Sequence, residues 1–115
     1  MTTLLTPLYH IRYFYNASFP QLELFPGAGV YHSSELQLVF GTYRLETQTP
    51  FEQKLSTYMM GAWARFAKNP AQGPGWPQVP SVADLGGNGV TNTTIQSSVV
   101  DARCALYDPV YTLIQ

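Results

Sequence analysis

One stretch of this chain commits to a regular element long enough to organise a core, and the rest has to pack around it. Thr49-Pro50-Phe51-Glu52 carries the marks of a helix start. The threonine hydroxyl can accept from a backbone N–H of the first turn, proline at the first helical position loses no hydrogen bond, and a glutamate three residues after the cap completes a capping box. Leu55, Met59, Ala62, Trp63 and Phe66 then recur at three- and four-residue steps as one apolar stripe. Lys68 suits the negative end of the helix dipole, and Asn69-Pro70 stops the helix. A helix with one apolar face needs a second layer to bury it.

The segment from His10 to Asn16, lying between Pro7 and Pro20, is rich in aromatic and β-branched residues and has the length of one strand. Alternation puts Ile11, Tyr13 and Tyr15 on one face and Arg12 and Phe14 on the other. Bulky groups on both sides suit a strand inside a covered sheet. From Phe19 to Val30, Pro20, Pro26, Gly27 and Gly29 break any period and predict a long ordered loop. Ser34 to Phe40 reads as a short helical piece with Leu36, Val39 and Phe40 at helical spacing, stopped by Gly41.

Residues 70–90 hold four prolines and five glycines, a composition that predicts surface connection rather than long helix or central strand. Ile95 to Val100 predicts a short strand. Asp101 is placed to cap a final short helix through Cys104 and Leu106 that ends before Pro109. No internal repeat is visible, and the 115 residues suffice for one core but not two. Composition narrows the partners. Charged residues make up 11% of the chain, less than half of the usual share of about 25%, so much of the surface is suited to burial. A net charge of -1, with scattered Lys and Arg, gives no basic field for nucleic acid. No apolar run approaches the roughly 20 residues of a transmembrane helix, and the amino terminus lacks a secretory-signal pattern. The single cysteine, Cys104, excludes an internal disulfide and any cysteine-only metal cage; it is either a buried free thiol or half of an external bridge.

Two histidines are candidates for chemistry. His10 opens a strand, where a histidine is ordinarily a half-buried polar residue with a satisfied ring. His32 follows a glycine-bearing loop and precedes a helical turn, where a scaffold presents side chains to a cleft. The surrounding string, Gly27-Ala28-Gly29-Val30-Tyr31-His32-Ser33-Ser34-Glu35-Leu36 and then Leu38-Val39-Phe40-Gly41, closely resembles the catalytic-histidine block of type B carboxylesterases and cholinesterases. In that family a Gly-x-x-His-[Gly or Ser]-x-Glu-[Leu or Ile] run is followed by Val-Phe-Gly. The likeness continues through Leu55-Ser56, Ala62-Trp63-Ala64-Arg65-Phe66-Ala67 and Trp76-Pro77, and its wording is closer to fungal esterases than to animal cholinesterases.

The resemblance implies an α/β fold: residues 1–115 as the carboxyl-terminal part of an α/β-hydrolase domain, with the last sheet strands, a histidine loop, a long amphipathic helix, and a short terminal strand and helix. It implies ester hydrolysis by a Ser, Glu or Asp, and His triad acting on a small-molecule ester or lipid, with no cofactor and no metal. His32 would be the base that takes the nucleophile's proton and returns one to the leaving alcohol. A free imidazole titrates at about 6.5, so it can do both near neutral pH. Ser33 and Ser34 would shape the ring's surroundings, and Glu35 would support the ring or its loop, because the triad acid precedes the histidine in chain order. The chain contains no Gly-x-Ser-x-Gly. The nucleophile, the acid and several strands are therefore expected in a missing amino-terminal part, the chain alone is expected to be inactive, and its independent folding is expected to be poor. Leu22, Leu24 and Phe25 are candidates for substrate contact or for packing.

Asn16-Ala17-Ser18 and Asn92-Thr93-Thr94 would permit N-glycosylation if a secreted parent follows the secretory route. Asn92, in a polar stretch, is the better placed of the two, since Asn16 ends a strand expected to be buried. Cys104 resembles a family position that forms a disulfide with an upstream cysteine. Two other readings stay open: a non-catalytic, adhesion-like relative of the same fold, and an independent small binding module.

Overall fold

The structure, a computed structural model, describes residues 10–114. Pro7, which bounds the first strand in the sequence, lies outside the described residues. In chain order the regular elements are β1 (Tyr13–Tyr15), α1 (Leu36–Val39), α2 (Pro50–Lys68), β2 (Ser81–Leu85), β3 (Thr93–Gln96), α3 (Ser97–Asp101) and α4 (Asp108–Leu113). The strands form one mixed sheet in the order β1-β2-β3. β2 pairs parallel to β1, with Tyr13 opposite Ala83 and Tyr15 opposite Leu85, and antiparallel to β3, with Val82 opposite Ile95.

α2 forms as its sequence predicts. Thr49 keeps extended backbone angles, and its side chain accepts from the N–H of Glu52 at 3.1 Å. The capping box is only half made, because the Glu52 carboxylate accepts from Gln21 Nε2 at 2.9 Å instead of returning to the cap. The stripe then buries. Leu55, Met59 and Ala62 have no exposed surface, and they meet Tyr15, Ala83 and Leu85 of the sheet together with Trp76. Trp63 stands half-buried with its ring edge-on to Tyr13, centroids 4.9 Å apart. Each fully buried Leu or Met side chain contributes about 1.5–3 kcal/mol, so this seam between helix and sheet is the main source of cohesion.

The region read as surface connection contains the central strand. Ser81–Leu85 lies between Pro80 and Gly86, and Val82, Ala83 and Leu85 are fully buried. Ala83 and Leu85 face α2, while Val82 faces the other side of the sheet, as period-two alternation requires. Gly86 makes the close packing possible. It adopts φ 93°, and a Cβ there would stand 2.6 Å from the Ala17 Cβ and 3.0 Å from Leu55.

The tail also differs from expectation. β3 begins at Thr93, and residues 97–101 turn helical rather than extending the strand. Asp101 caps nothing; it ends α3 and holds the Arg12 guanidinium through two bonds of 2.7 and 2.8 Å. That pair explains why Arg12 is tolerated on the sheet face opposite α2. Pro109 does not close a helix but sits in the first turn of α4, where a missing N–H costs nothing.

The Cα radius of gyration is 17.1 Å, against about 13 Å for a compact domain of this length. Phe25, Phe40, Leu45, Leu106, Leu113 and Ile114 are each more than 60% exposed. The parallel ladder uses the Arg12 carbonyl and the Asn16 N–H toward β2, so the N–H and C=O groups of Tyr13 and Tyr15 point to the other edge. Among the described residues no strand pairs with that edge.

Candidate active site

His32 is carried by a loop whose ends are pinned to two different elements. Phe19, buried in the core, starts it, and a single turn at Pro20–Leu22 follows. Gln21 on this turn donates to Glu52 of α2, which ties the entry of the loop to the helix. Burial pushes the Glu52 carboxyl above its ordinary range, and the bonds from Gln21 and from the backbone at the cap oppose that only in part. Glu23 accepts from Ser18 Oγ and from the Gly27 N–H, both at 3.0 Å, and folds the loop back on itself. Tyr31 Oη donates to the Leu22 carbonyl at 2.7 Å, closing the loop immediately before His32.

His32 is exposed, and its ring makes no hydrogen bond among the described residues. It stands in a tight turn in which the Ser34 N–H donates to the Tyr31 carbonyl at 3.0 Å and the Leu36 N–H to the Ser33 carbonyl at 3.2 Å. Ser33 has φ 70°, the left-handed region in which residues other than glycine are strained. Its hydroxyl bonds the His32 carbonyl and helps to hold that shape. This geometry gives a physical reason for the glycine or serine that follows the histidine in the motif.

The exit of the turn is pinned to the sheet. Glu35 accepts from Tyr13 Oη at 3.1 Å. Tyr13 loses its proton less readily than a free tyrosine, first because it is buried and second because the bond to Glu35 favours the neutral phenol. α1 is then locked onto α2: Leu38 is fully buried, and Ser56 Oγ donates to the Leu38 carbonyl at 2.7 Å. Leu36 and Phe40, which stand at helical spacing with Val39, are 47% and 70% exposed. Ser34 Oγ is buried without a hydrogen-bond partner among the described residues. The turn therefore presents an imidazole outward from a base fixed to both strand and helix, and a group so placed can exchange protons with whatever docks over it.

The other singled-out residues lie apart from this turn. Leu22 packs against the core, while Leu24 and Phe25 project from the loop. His10 is exposed rather than half-buried. Cys104 is an exposed free thiol, so the buried alternative is overturned. A cavity of about 150 Å³ lies between β1 and the end of α2, lined by Ile11, Tyr13, Trp63, Phe66, Pro74 and Trp76, and none of these residues comes from the histidine turn. Sequence reasoning missed Tyr13, Gln21 and Ser56 as supports. Only Tyr13 left a signal, as a hydroxyl-bearing aromatic on the strand face that points toward the helix.

The matching motifs extend to a match over nearly the whole chain: residues 1–105 fit the carboxylesterase family. The chain belongs to that family. Among curated relatives it is 39% identical over 74 residues to Secreted lipase 5 of Gibberella zeae, an alignment covering 61% of this chain and 14% of the lipase. It is 35% identical over 65 residues to the chlorogenic acid esterase of Aspergillus niger, covering 55% of this chain and 13% of that enzyme. The chain thus aligns with about one seventh of the length of each of these two fungal relatives. No solved structure matches it. The family brings an α/β-hydrolase architecture, with which the small mixed sheet and its helices are consistent. No helix among the described residues is long and apolar enough to cross a membrane.

Proposed function

We propose that this chain is the histidine-bearing part of a serine carboxylesterase, with His32 as the general base of a triad whose serine and acid lie in the upstream part of the same fold. The observation that carries this reading is the exposed His32 ring on a turn held by Tyr13 from the sheet and, through α1, by the bond from Ser56 of α2 to the Leu38 carbonyl. In the proposed mechanism the imidazole accepts the serine proton as the hydroxyl attacks an ester carbonyl, and then protonates the departing alkoxide. Glu35 acts through the backbone of the turn, being bonded to Tyr13. The unpartnered Ser34 hydroxyl and the open edge of β1 support a body of protein packed over this side. The substrate class is a carboxylic ester, small or lipid, and an extracellular parent is favoured by the likeness to a secreted lipase.

The test compares two proteins. One is the purified chain; the other is a hybrid in which the chain replaces the corresponding segment of the Aspergillus niger chlorogenic acid esterase. The chain alone turns over no short-chain nitrophenyl ester and takes up no fluorophosphonate label, whereas the hybrid does both. Phosphonate-sensitive turnover by the chain alone would overturn the reading.

A further inference from the structure

The two sequons of this chain are not equivalent in the folded protein. The Asn92 side chain is committed: its Nδ2, the atom that would carry a sugar, donates to Tyr58 Oη of α2 at 2.9 Å, and its Oδ1 is buried. This bond ties the segment entering β3 to the helix. A sugar on Nδ2 would leave one N–H there and would force a bulky polar group into the half-buried seam beside Tyr58.

Asn16 is the opposite case. It lies just beyond the last residue of β1, its backbone N–H already bonds the Leu85 carbonyl at 2.8 Å, and its side chain is exposed. It borders an open groove of about 480 Å³ that also includes Phe14. Phe14 lies two residues earlier on the same strand face and is 45% exposed. The aromatic face is negative, and the axial C–H groups of a sugar carry slight positive charge, so the first sugar on Asn16 has an apolar surface to rest on. Ser18, which completes the sequon, is also exposed.

We infer that Asn16 is the N-glycosylation site of this protein and that Asn92 is a structural asparagine. In the transfer, the Asn16 amide nitrogen attacks the anomeric carbon of a lipid-pyrophosphate-linked oligosaccharide. A C–N bond forms, the C–O bond to the pyrophosphate breaks, the lipid pyrophosphate departs, and one amide proton passes to the transferase. Transfer precedes folding, so the fold acts as a filter: a chain with a sugar on Asn92 must fit that bulk into the half-buried seam at Tyr58, while one with a sugar on the exposed Asn16 meets no such seam.

The inference rests on the reading of a parent that follows the secretory route. Fusing the hybrid esterase to a secretion leader in a yeast host forces that route, so the site is judged independently of where the natural parent resides. Glycopeptide mapping of the secreted, soluble hybrid is expected to find Asn16 occupied and Asn92 bare, with Asn16→Gln abolishing the endoglycosidase-sensitive glycopeptide of this segment and Asn92→Gln leaving it unchanged. Oligosaccharide on Asn92, or an Asn16 bare in soluble hybrid, overturns the inference. Whether the parent itself reaches the medium tests the secretory reading separately.

Discussion

The phenol of Tyr13, on the first strand, donates to the carboxylate of Glu35, three residues beyond His32, over 3.1 Å. One side chain thereby couples the sheet to the turn that presents the imidazole, and the edge-on contact of Tyr13 with Trp63 extends that coupling to α2. Tyr13→Phe in the hybrid esterase keeps the ring contact and removes only the hydrogen bond. Bonds to charged groups contribute about 1.5–3 kcal/mol, and partial exposure reduces that here. The expected outcome is a kcat lowered several-fold with KM nearly unchanged, because the turn loses position rather than substrate contacts. Steady-state kinetics on the two proteins check this.

Gly86 is required by shape twice over: by its φ of 93° and by the approach of Ala17 and Leu55. Gly86→Ala should destabilise the hybrid by more than about 1 kcal/mol, since the substitution is incompatible with the backbone and also forces a contact. An alanine at exposed Gly27, where a Cβ meets nothing within 4 Å, suffers only the backbone penalty. Urea denaturation midpoints of the two variants order them, with Gly86→Ala the lower.

Glu52 sets a pH dependence whose sign follows from its burial. Its carboxyl is fully buried and titrates above its ordinary value because the charged form is poorly solvated. A group with a raised folded-state value contributes stability below its unfolded value and loses that contribution as pH rises through the folded one. Glu52→Gln removes the ionisation while keeping an acceptor for Gln21. The variant should therefore gain stability relative to the parent protein as pH rises from about 4 to 7, as followed by thermal melts at several pH values. A constant difference across that range would show that Glu52 is not the titrating group.

How much of this was legible in the sequence depends on whether the signal was local. α2 was, because its cap, its proline and its stripe are written in one continuous segment; the half-made capping box was not, because Gln21 competes for Glu52 from 31 residues away. β2 was hidden by its surroundings. Prolines and glycines dominate residues 70–90, yet Ser81–Leu85 is a short apolar run bounded by Pro80 and Gly86, which is also the mark of a buried strand. Asp101 looked like a cap because its partner, Arg12, is 89 residues distant. His32 and its turn were recognisable from the motif. Their supports were less so: Tyr13 left only a hydroxyl on the strand face toward the helix, and Ser56 reaches the Leu38 carbonyl of α1 only through tertiary packing.

In the proposed mechanism the His32 imidazole does the proton transfer. The most direct measurement is kcat of the hybrid esterase on a short-chain nitrophenyl ester, with His32 intact and as His32→Ala. Loss of the triad histidine costs on the order of 10⁶ in kcat in subtilisin, a serine protease. A fall of at least several thousand-fold is expected, with the protein still folded by circular dichroism. A folded His32→Ala hybrid that retains turnover within tenfold of the intact one would contradict it.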